Sequence, residues 1–125
     1  MLGRRAGRRA ALFMLFQWDV TGKELGSTYE GDADEFAWET ARAVAGRAEE
    51  LDRRIDEATQ GWPAGRLGAL ERNVLRIAIY ELERGEVPAE VAIDEAVRLA
   101  KRYASDEAGK LVNGILGKIA REEVA

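Results

Sequence analysis

The sequence contains no cysteine, no histidine and only two prolines among its 125 residues. Without cysteine and histidine there is no disulfide, thiol nucleophile, imidazole base or Cys/His zinc site. The longest apolar run, residues 10–16, is far shorter than the ~20 residues that cross a membrane, and no cleavable secretory signal follows the first arginines. We therefore expect a cytoplasmic protein that lacks the commonest catalytic groups.

The composition is that of a folded chain. Hydrophobic residues make up 46% and charged residues 34% of the sequence, and there is no low-complexity run. A chain of this length buries one core of ordinary size. We expect a single domain that covers residues 1–125.

Charge is segregated along the chain, although the formal net charge is −4. Residues 1–10 contain four arginines and no acid, and residues 98–118 contain five basic residues against two acids. Residues 24–60 contain eleven acids and four arginines. If the two basic segments meet in the fold, they form a surface that attracts anions. The alternative is ordinary solvated charge on amphipathic helices.

The hydrophobic pattern predicts an all-α fold, because apolar residues recur at helical spacing and no run alternates as a half-buried strand does. The predicted helices cover residues 4–20, 34–45, 49–58, 70–84 and 88–104, with a last helix after residue 105. A loop at residues 25–34 and a break at residues 61–63, followed by a turn through Arg66 and Leu67, separate some of them. Helix 70–84 has the clearest apolar stripe and is predicted to be central.

Local signals mark the start of two helices. Ser105 is a good N-cap for the last helix, and the two acids after it complement the helix dipole. Pro88 is suited to the first turn of the helix that it begins.

Gly114 and Gly117 interrupt the last helix at a cost of about 1 kcal/mol each relative to alanine. They predict the close approach of another helix, or else of a ligand.

Four sequence blocks resemble the NusB family of transcription antitermination factors and occur in the family's order. They are RRAGR (4–8) with AALFMLFQWD (10–19), LERNVLRIAIYEL (70–82), VPAEVAIDEAVRLAKRY (87–103) and KLVNGILGKI (110–119). The chain departs from the family's frequent residues at Arg9, Leu111 and Gly117. Leu111 replaces a frequent phenylalanine and so removes an aromatic ring that would stack on a base.

The resemblance implies about seven helices in two small packed bundles and a non-enzymatic role in transcription regulation, without a cofactor. Family members pair with the small-subunit ribosomal protein NusE and bind the boxA element of nascent RNA. The pair then joins the antitermination complex on RNA polymerase, where it suppresses transcription termination during ribosomal RNA synthesis. Some members also self-associate, so a homodimer is a further expected state.

The resemblance also implies two sets of site residues. The RNA-binding set is Arg4, Arg5, Arg8, Lys101, Tyr103, Lys110, Asn113 and Lys118. The partner-binding set is Trp18, Tyr80 and Glu81.

The chemistry of these residues suits unpaired RNA, since arginine holds phosphates or stacks on bases, and a tyrosine ring stacks on a base. Simpler explanations remain open for three of them. Tyr103 is otherwise a core or rim aromatic, Asn113 a helix-packing residue, and Glu81 a solvated flank of its stripe. Asp94 and Glu95 are expected to be solvent-exposed or paired with Arg98.

Two other functional classes make different predictions. A helical protein-binding adaptor or homodimer, with an incidental basic patch, would ignore RNA at physiological salt. An enzyme is disfavoured because 125 residues leave no space for a cofactor-binding domain and no glycine-rich strand-to-helix fingerprint is present.

Overall fold

The computed structural model describes residues 3–59 and 64–124. These ranges contain six α-helices, a 3₁₀ helix at Ala64–Arg66 and no β-strand, which confirms the all-α prediction. The α-helices are α1 (Arg4–Thr21), α2 (Glu35–Gly46), α3 (Ala48–Thr59), α4 (Ala69–Arg84), α5 (Ala89–Tyr103) and α6 (Asp106–Val124). The predicted break at residues 61–63 lies outside the described residues.

The helix ends follow local chemistry. Gly22 ends α1 and Gly85 ends α4, each in the left-handed conformation that favours glycine, with φ of 71° and 67°. The Ser105 hydroxyl accepts a hydrogen bond from the Ala108 amide at 3.0 Å, so the predicted N-cap of α6 is confirmed. Pro88 lies one residue before α5 rather than inside its first turn.

The apolar faces of all six helices meet in one hydrophobic cluster. The central helix is α4, as predicted, because it packs against each of the other five helices and is buried from Asn73 to Glu81. The largest side chains with no more than 1% exposure are Leu12, Met14, Leu15, Leu51, Ile55, Leu75, Ile79, Leu116 and Ile119. This core fixes how the functional faces of α1 and α5 lie relative to each other.

An ionic network ties the end of α1 to α3 and α4. The Asp19 carboxylate accepts hydrogen bonds from Arg72, Asn73 and Arg76 at 3.0 to 3.2 Å. Arg76 also donates two bonds of 2.7 Å to Asp52 on α3. Each buried cation in this network is paired, as burial of charge requires.

Arg72 extends this network to the 3₁₀ helix. Its Nη1 atom donates to the carbonyl oxygens of Ala64 and Leu67, at 3.2 and 2.8 Å. The described part of the connection between α3 and α4 is therefore held by a side chain of α4.

Close approach occurs at other glycines than the two predicted. A Cβ atom added to Gly109 would lie 2.5 Å from Cγ of Lys101, so α6 meets a side chain of α5 there. A Cβ atom on Gly114 would meet nothing within 4 Å, and one on Gly117 would meet only Arg121 of the same helix. The prediction that Gly114 and Gly117 serve close helix packing is therefore wrong, and the surface of α6 is open at Gly114.

Candidate nucleic-acid interface

A groove runs between the first turns of α1 and the second half of α5. Five arginines line it together with one acid, one leucine and one tyrosine. We call it the basic groove; its residues are Arg5, Arg8, Arg9, Glu95, Arg98, Leu99, Arg102 and Tyr103. The opening segment thus meets residues 98–103 of the second basic segment.

Helical spacing explains why these side chains converge. Positions 5, 8 and 9 of α1 follow the i, i+3, i+4 pattern of one helix face. Positions 95, 98, 99 and 102 of α5 continue the same pattern over two turns. Because the two faces border one groove, the charges of two distant segments add their potentials in one place.

An aromatic pair lies at one end of the groove. The rings of Phe13 and Tyr103 meet edge to face, with centroids 4.9 Å apart at 78°. The guanidinium carbon of Arg102 lies 5.4 Å from the centre of the Tyr103 ring. Tyr103 is half-buried against the core, so it is a rim aromatic in the chain alone, and its stacking on a base stays a prediction.

Arg5 and Glu95 form an ion pair inside the groove. The Arg5 Nε atom donates to Glu95 Oε1 at 3.0 Å. The Glu95 side chain is only 13% exposed, whereas that of Arg5 is 62% exposed. The partner of Glu95 is therefore Arg5 rather than the predicted Arg98, while Asp94 is solvent-exposed as expected.

Arg8 faces inward and is bound by Glu81 of α4. Its Nε and Nη2 atoms donate to the two Glu81 oxygens at 2.7 and 2.9 Å, and both residues are buried. Donation of hydrogen bonds to the Glu81 carboxylate raises the pKa of the Arg8 guanidinium despite its burial. The alternative that Glu81 is a solvated flank is wrong, since its carboxylate is buried and bonded to Arg8, and its role in partner binding stays a prediction.

A second cavity, of about 320 Å³, lies between α1, α2 and α4. Arg4, Phe36, Tyr80, Glu81 and Arg84 are among its lining residues. The guanidinium of Arg4 lies 4.8 Å from the centre of the Phe36 ring, and Arg84 donates to the Tyr80 hydroxyl at 2.7 Å. We call it the α1–α2–α4 cavity. It combines the two arginines with two aromatic rings and three acids, Glu39, Glu81 and Glu86.

The structure separates Trp18 from the other two predicted partner-binding residues. Trp18 is half-buried and borders a different surface groove, at the junction of α2 and α3 beside Gly46 and Arg47. Tyr80 and Glu81 both line the α1–α2–α4 cavity.

The basic residues of α6 do not line the basic groove. Lys118 donates from Nζ to the carbonyl oxygen of Ala58 at 3.1 Å, where its charge complements the C-terminal end of α3. Lys110 and Asn113 are exposed, and Lys110 borders an apolar surface groove with Ala58 and Gly114. Lys101 is exposed, with its aliphatic stem against α6 at Gly109.

The groove contains four charged residues that the resemblance did not assign to RNA: Arg9, Glu95, Arg98 and Arg102. The sequence signal for the three residues of α5 is their helical spacing, which places Glu95, Arg98 and Arg102 on one face. This spacing becomes informative only once α1 is known to face that side of α5.

The chain is a small helical protein whose arginine-lined groove carries the charge that attracts anions. Residues 5–121 match the model that describes the NusB family. The chain is 40% identical to the transcription antitermination protein NusB of Rubrobacter xylanophilus, covering 92% of this chain and 88% of that protein. It is 39% identical to the NusB protein of Desulfitobacterium hafniense, covering 94% and 88%. The chain belongs to the NusB family.

Solved structures agree with this assignment. A crystal form of NusB from T. maritima superposes with a TM-score of 0.85 at 37% identity, covering 97% of this chain and 92% of that one. A second similar structure contains the antitermination factors NusB and NusE in complex with double-stranded RNA. It superposes with a TM-score of 0.82 at 30% identity, covering 95% of this chain and 96% of the other.

Proposed function

We propose that this chain is a transcription antitermination factor that binds boxA-type single-stranded RNA as a heterodimer with the ribosomal protein NusE. It acts in the cytoplasm as a non-enzymatic, single-domain subunit of the antitermination complex on RNA polymerase. The observation that supports this proposal is the basic groove, found in a chain of the NusB family.

The basic groove has the chemistry that an unpaired strand requires. Arg5, Arg9, Arg98 and Arg102 have exposed side chains, and guanidinium groups hold phosphates with two hydrogen bonds or stack on bases. Tyr103 supplies an aromatic ring at the end of the groove, on which a base can stack. A strand in this groove follows α5 with its phosphates toward the arginines.

The exposure of the side chains in the structure changes which residues we propose to bind RNA. Arg4, Arg5, Lys101, Lys110 and Asn113 are exposed and remain in it, with Tyr103 at the rim. Arg9, Arg98 and Arg102 join it because they line the groove. Arg8 and Lys118 act indirectly, through the contacts that hold α1 on α4 and α6 on α3.

The α1–α2–α4 cavity is the proposed contact surface for NusE. Its rim offers Arg4 and Arg84 beside Phe36 and Tyr80, and aromatic and arginine side chains are enriched at protein interfaces. Glu81 also lines this cavity, and its ion pair with Arg8 holds α1 on α4 there. Trp18 marks a separate contact area.

The experiment is an RNA titration with and without NusE over a range of salt concentrations. The probes are boxA RNA, a scrambled sequence and a duplex of the same length. We expect boxA RNA to bind most tightly, NusE to tighten that binding, and log affinity to fall against log salt by about 0.7 per phosphate contacted.

A matched pair of variants locates the site. Arg98→Ala should lower the salt slope by about 0.7, because one phosphate contact is lost. Lys23→Ala removes the same charge in the exposed segment just after α1, which does not line the groove, and should leave the slope unchanged. Equal affinity for boxA and scrambled RNA would contradict the proposal. Binding of NusE or of a second copy without any RNA binding would favour the adaptor alternative.

A further inference from the structure

Glu95 is the one acidic residue that lines the basic groove in the part of the chain that the structure describes. A carboxylate repels phosphates, so charge alone predicts that it weakens RNA binding. Its exposure indicates a different role. The Glu95 side chain is 13% exposed, whereas the side chain of Arg5, with which it is paired, is 62% exposed, so the acid is largely covered and Arg5 stays accessible.

The atoms that form the contact are informative. Glu95 accepts from Nε, which lies on the side of the planar guanidinium fork. The two terminal nitrogens of the fork are the ones that hold a phosphate end-on with two hydrogen bonds. A carboxylate bound at Nε therefore orients the fork without using that pair.

We propose that Glu95 is a positioning residue of the basic groove, which holds Arg5 by Nε so that its terminal nitrogens face an RNA phosphate. This inference rests on the proposed RNA-binding function and adds to it a residue that does not itself touch RNA. Because the ion pair is partly solvated, it restrains the Arg5 rotamer rather than locking it. It lowers the entropy that a long side chain loses when it binds.

The test compares two neutral replacements of Glu95. Glu95→Gln keeps an oxygen that accepts from Arg5 Nε, whereas Glu95→Ala keeps none. Both remove the repulsion of phosphates equally, so their difference reports the hydrogen bond. We expect boxA RNA to bind Glu95→Gln about three- to tenfold more tightly than Glu95→Ala, from the rotamer entropy of one arginine.

The same two variants are then measured in a chain that also contains Arg5→Ala. There the affinity ratio should fall to about one, because the side chain to be positioned is gone. The control is Glu90, an exposed acid in the first turn of the same helix. Glu90→Gln and Glu90→Ala should bind RNA equally well.

Three results would overturn the proposal. Equal affinities of the two Glu95 variants with Arg5 present would remove the positioning effect. A ratio that persists with Arg5→Ala would mean that residue 95 contacts RNA directly. Arg5→Ala could also lower RNA affinity more in the Glu95→Ala chain than in the unaltered chain. That would mean that Glu95 keeps Arg5 from binding RNA.

A second readout does not require RNA. In ¹⁵N NMR spectra, the Arg5 Nε–H signal should exchange slowly with water in the unaltered chain and in Glu95→Gln, and rapidly in Glu95→Ala. If RNA binding fails but this pattern holds, the proposed function is wrong and the orienting contact stands. If all three chains exchange alike, the positioning role is wrong whether or not RNA binds.

Discussion

Arg8 of α1 and Glu81 of α4 form a two-point ion pair that separates the two candidate binding surfaces. Arg8 borders the basic groove and Glu81 borders the α1–α2–α4 cavity, and the two residues are 5% and 8% exposed. Because the charges neutralise each other inside the protein, neither surface carries the full charge that the sequence places there. The pair also fixes the position of the first turns of α1, which contribute Arg5 and Arg9 to the basic groove.

Removing one member of this pair should destabilise the fold strongly. Arg8→Ala or Glu81→Ala leaves an uncompensated buried charge, and we expect each to lower the free energy of unfolding by about 3 kcal/mol. Urea denaturation measures this change. Replacing both residues with methionine should cost much less, because no unpaired charge remains. Arg9→Ala, at the exposed neighbouring position, is the control, and a similar loss there would contradict the prediction.

Two glycines of α6 should respond to alanine in opposite directions. Gly109→Ala places a methyl group 2.5 Å from Cγ of Lys101, near the base of that side chain, and overpacking of this kind costs about 1–3 kcal/mol. Gly114→Ala meets nothing within 4 Å and should stabilise the helix by up to about 1 kcal/mol. Thermal unfolding of the two variants measures both effects. A stabilising Gly109→Ala together with a destabilising Gly114→Ala would mean that α6 packs differently.

The ion pairs of Glu83 should make stability depend on pH in acid. Burial opposes ionisation of Glu83, but hydrogen bonds from Arg47 and Arg54, at 2.6 and 2.7 Å, lower its pKa from the usual value of 4.5. Its contribution is therefore complete above pH 4.5 and is lost as the pH falls through the lower folded-state pKa.

The measurement is the difference in unfolding free energy between the unaltered chain and Glu83→Gln. We expect the difference to be about 1 kcal/mol near neutral pH and to shrink below the usual carboxyl pKa. Glu24→Gln, in the exposed segment after α1, is the control for the loss of one surface carboxylate. A gap that widens in acid would mean that the pKa of Glu83 is raised in the folded state.

The helices were predictable because their signals are local. The serine N-cap at residue 105 and the glycines at residues 22 and 85 act on the backbone within a few positions, so a single sequence is enough to read them. The apolar stripe of α4 similarly predicted its central position. The prediction that another helix packs closely at Gly114 was wrong, because a glycine inside a helix has the same local sequence pattern whether it faces a neighbour or open space.

The candidate site was less predictable because its contacts are distant in sequence. Arg8 and Glu81 are 73 positions apart, and Arg5 and Glu95 are 90 apart. No local pattern distinguishes the arginine that turns inward from its exposed neighbours. That distinction depends on which face of α1 packs on α4, and only the assembled core determines it.

The Asp19 network has a consequence for how the molecule opens. One carboxylate holds Arg72, Asn73 and Arg76, and Arg72 in turn donates to the carbonyl oxygens of Ala64, in the 3₁₀ helix, and of Leu67, just after it. Fraying of the last turn of α1 would remove the one acceptor that these three side chains share. The end of α1, the 3₁₀ helix and the start of α4 therefore form one cooperative unit, whose amide protons exchange together rather than segment by segment.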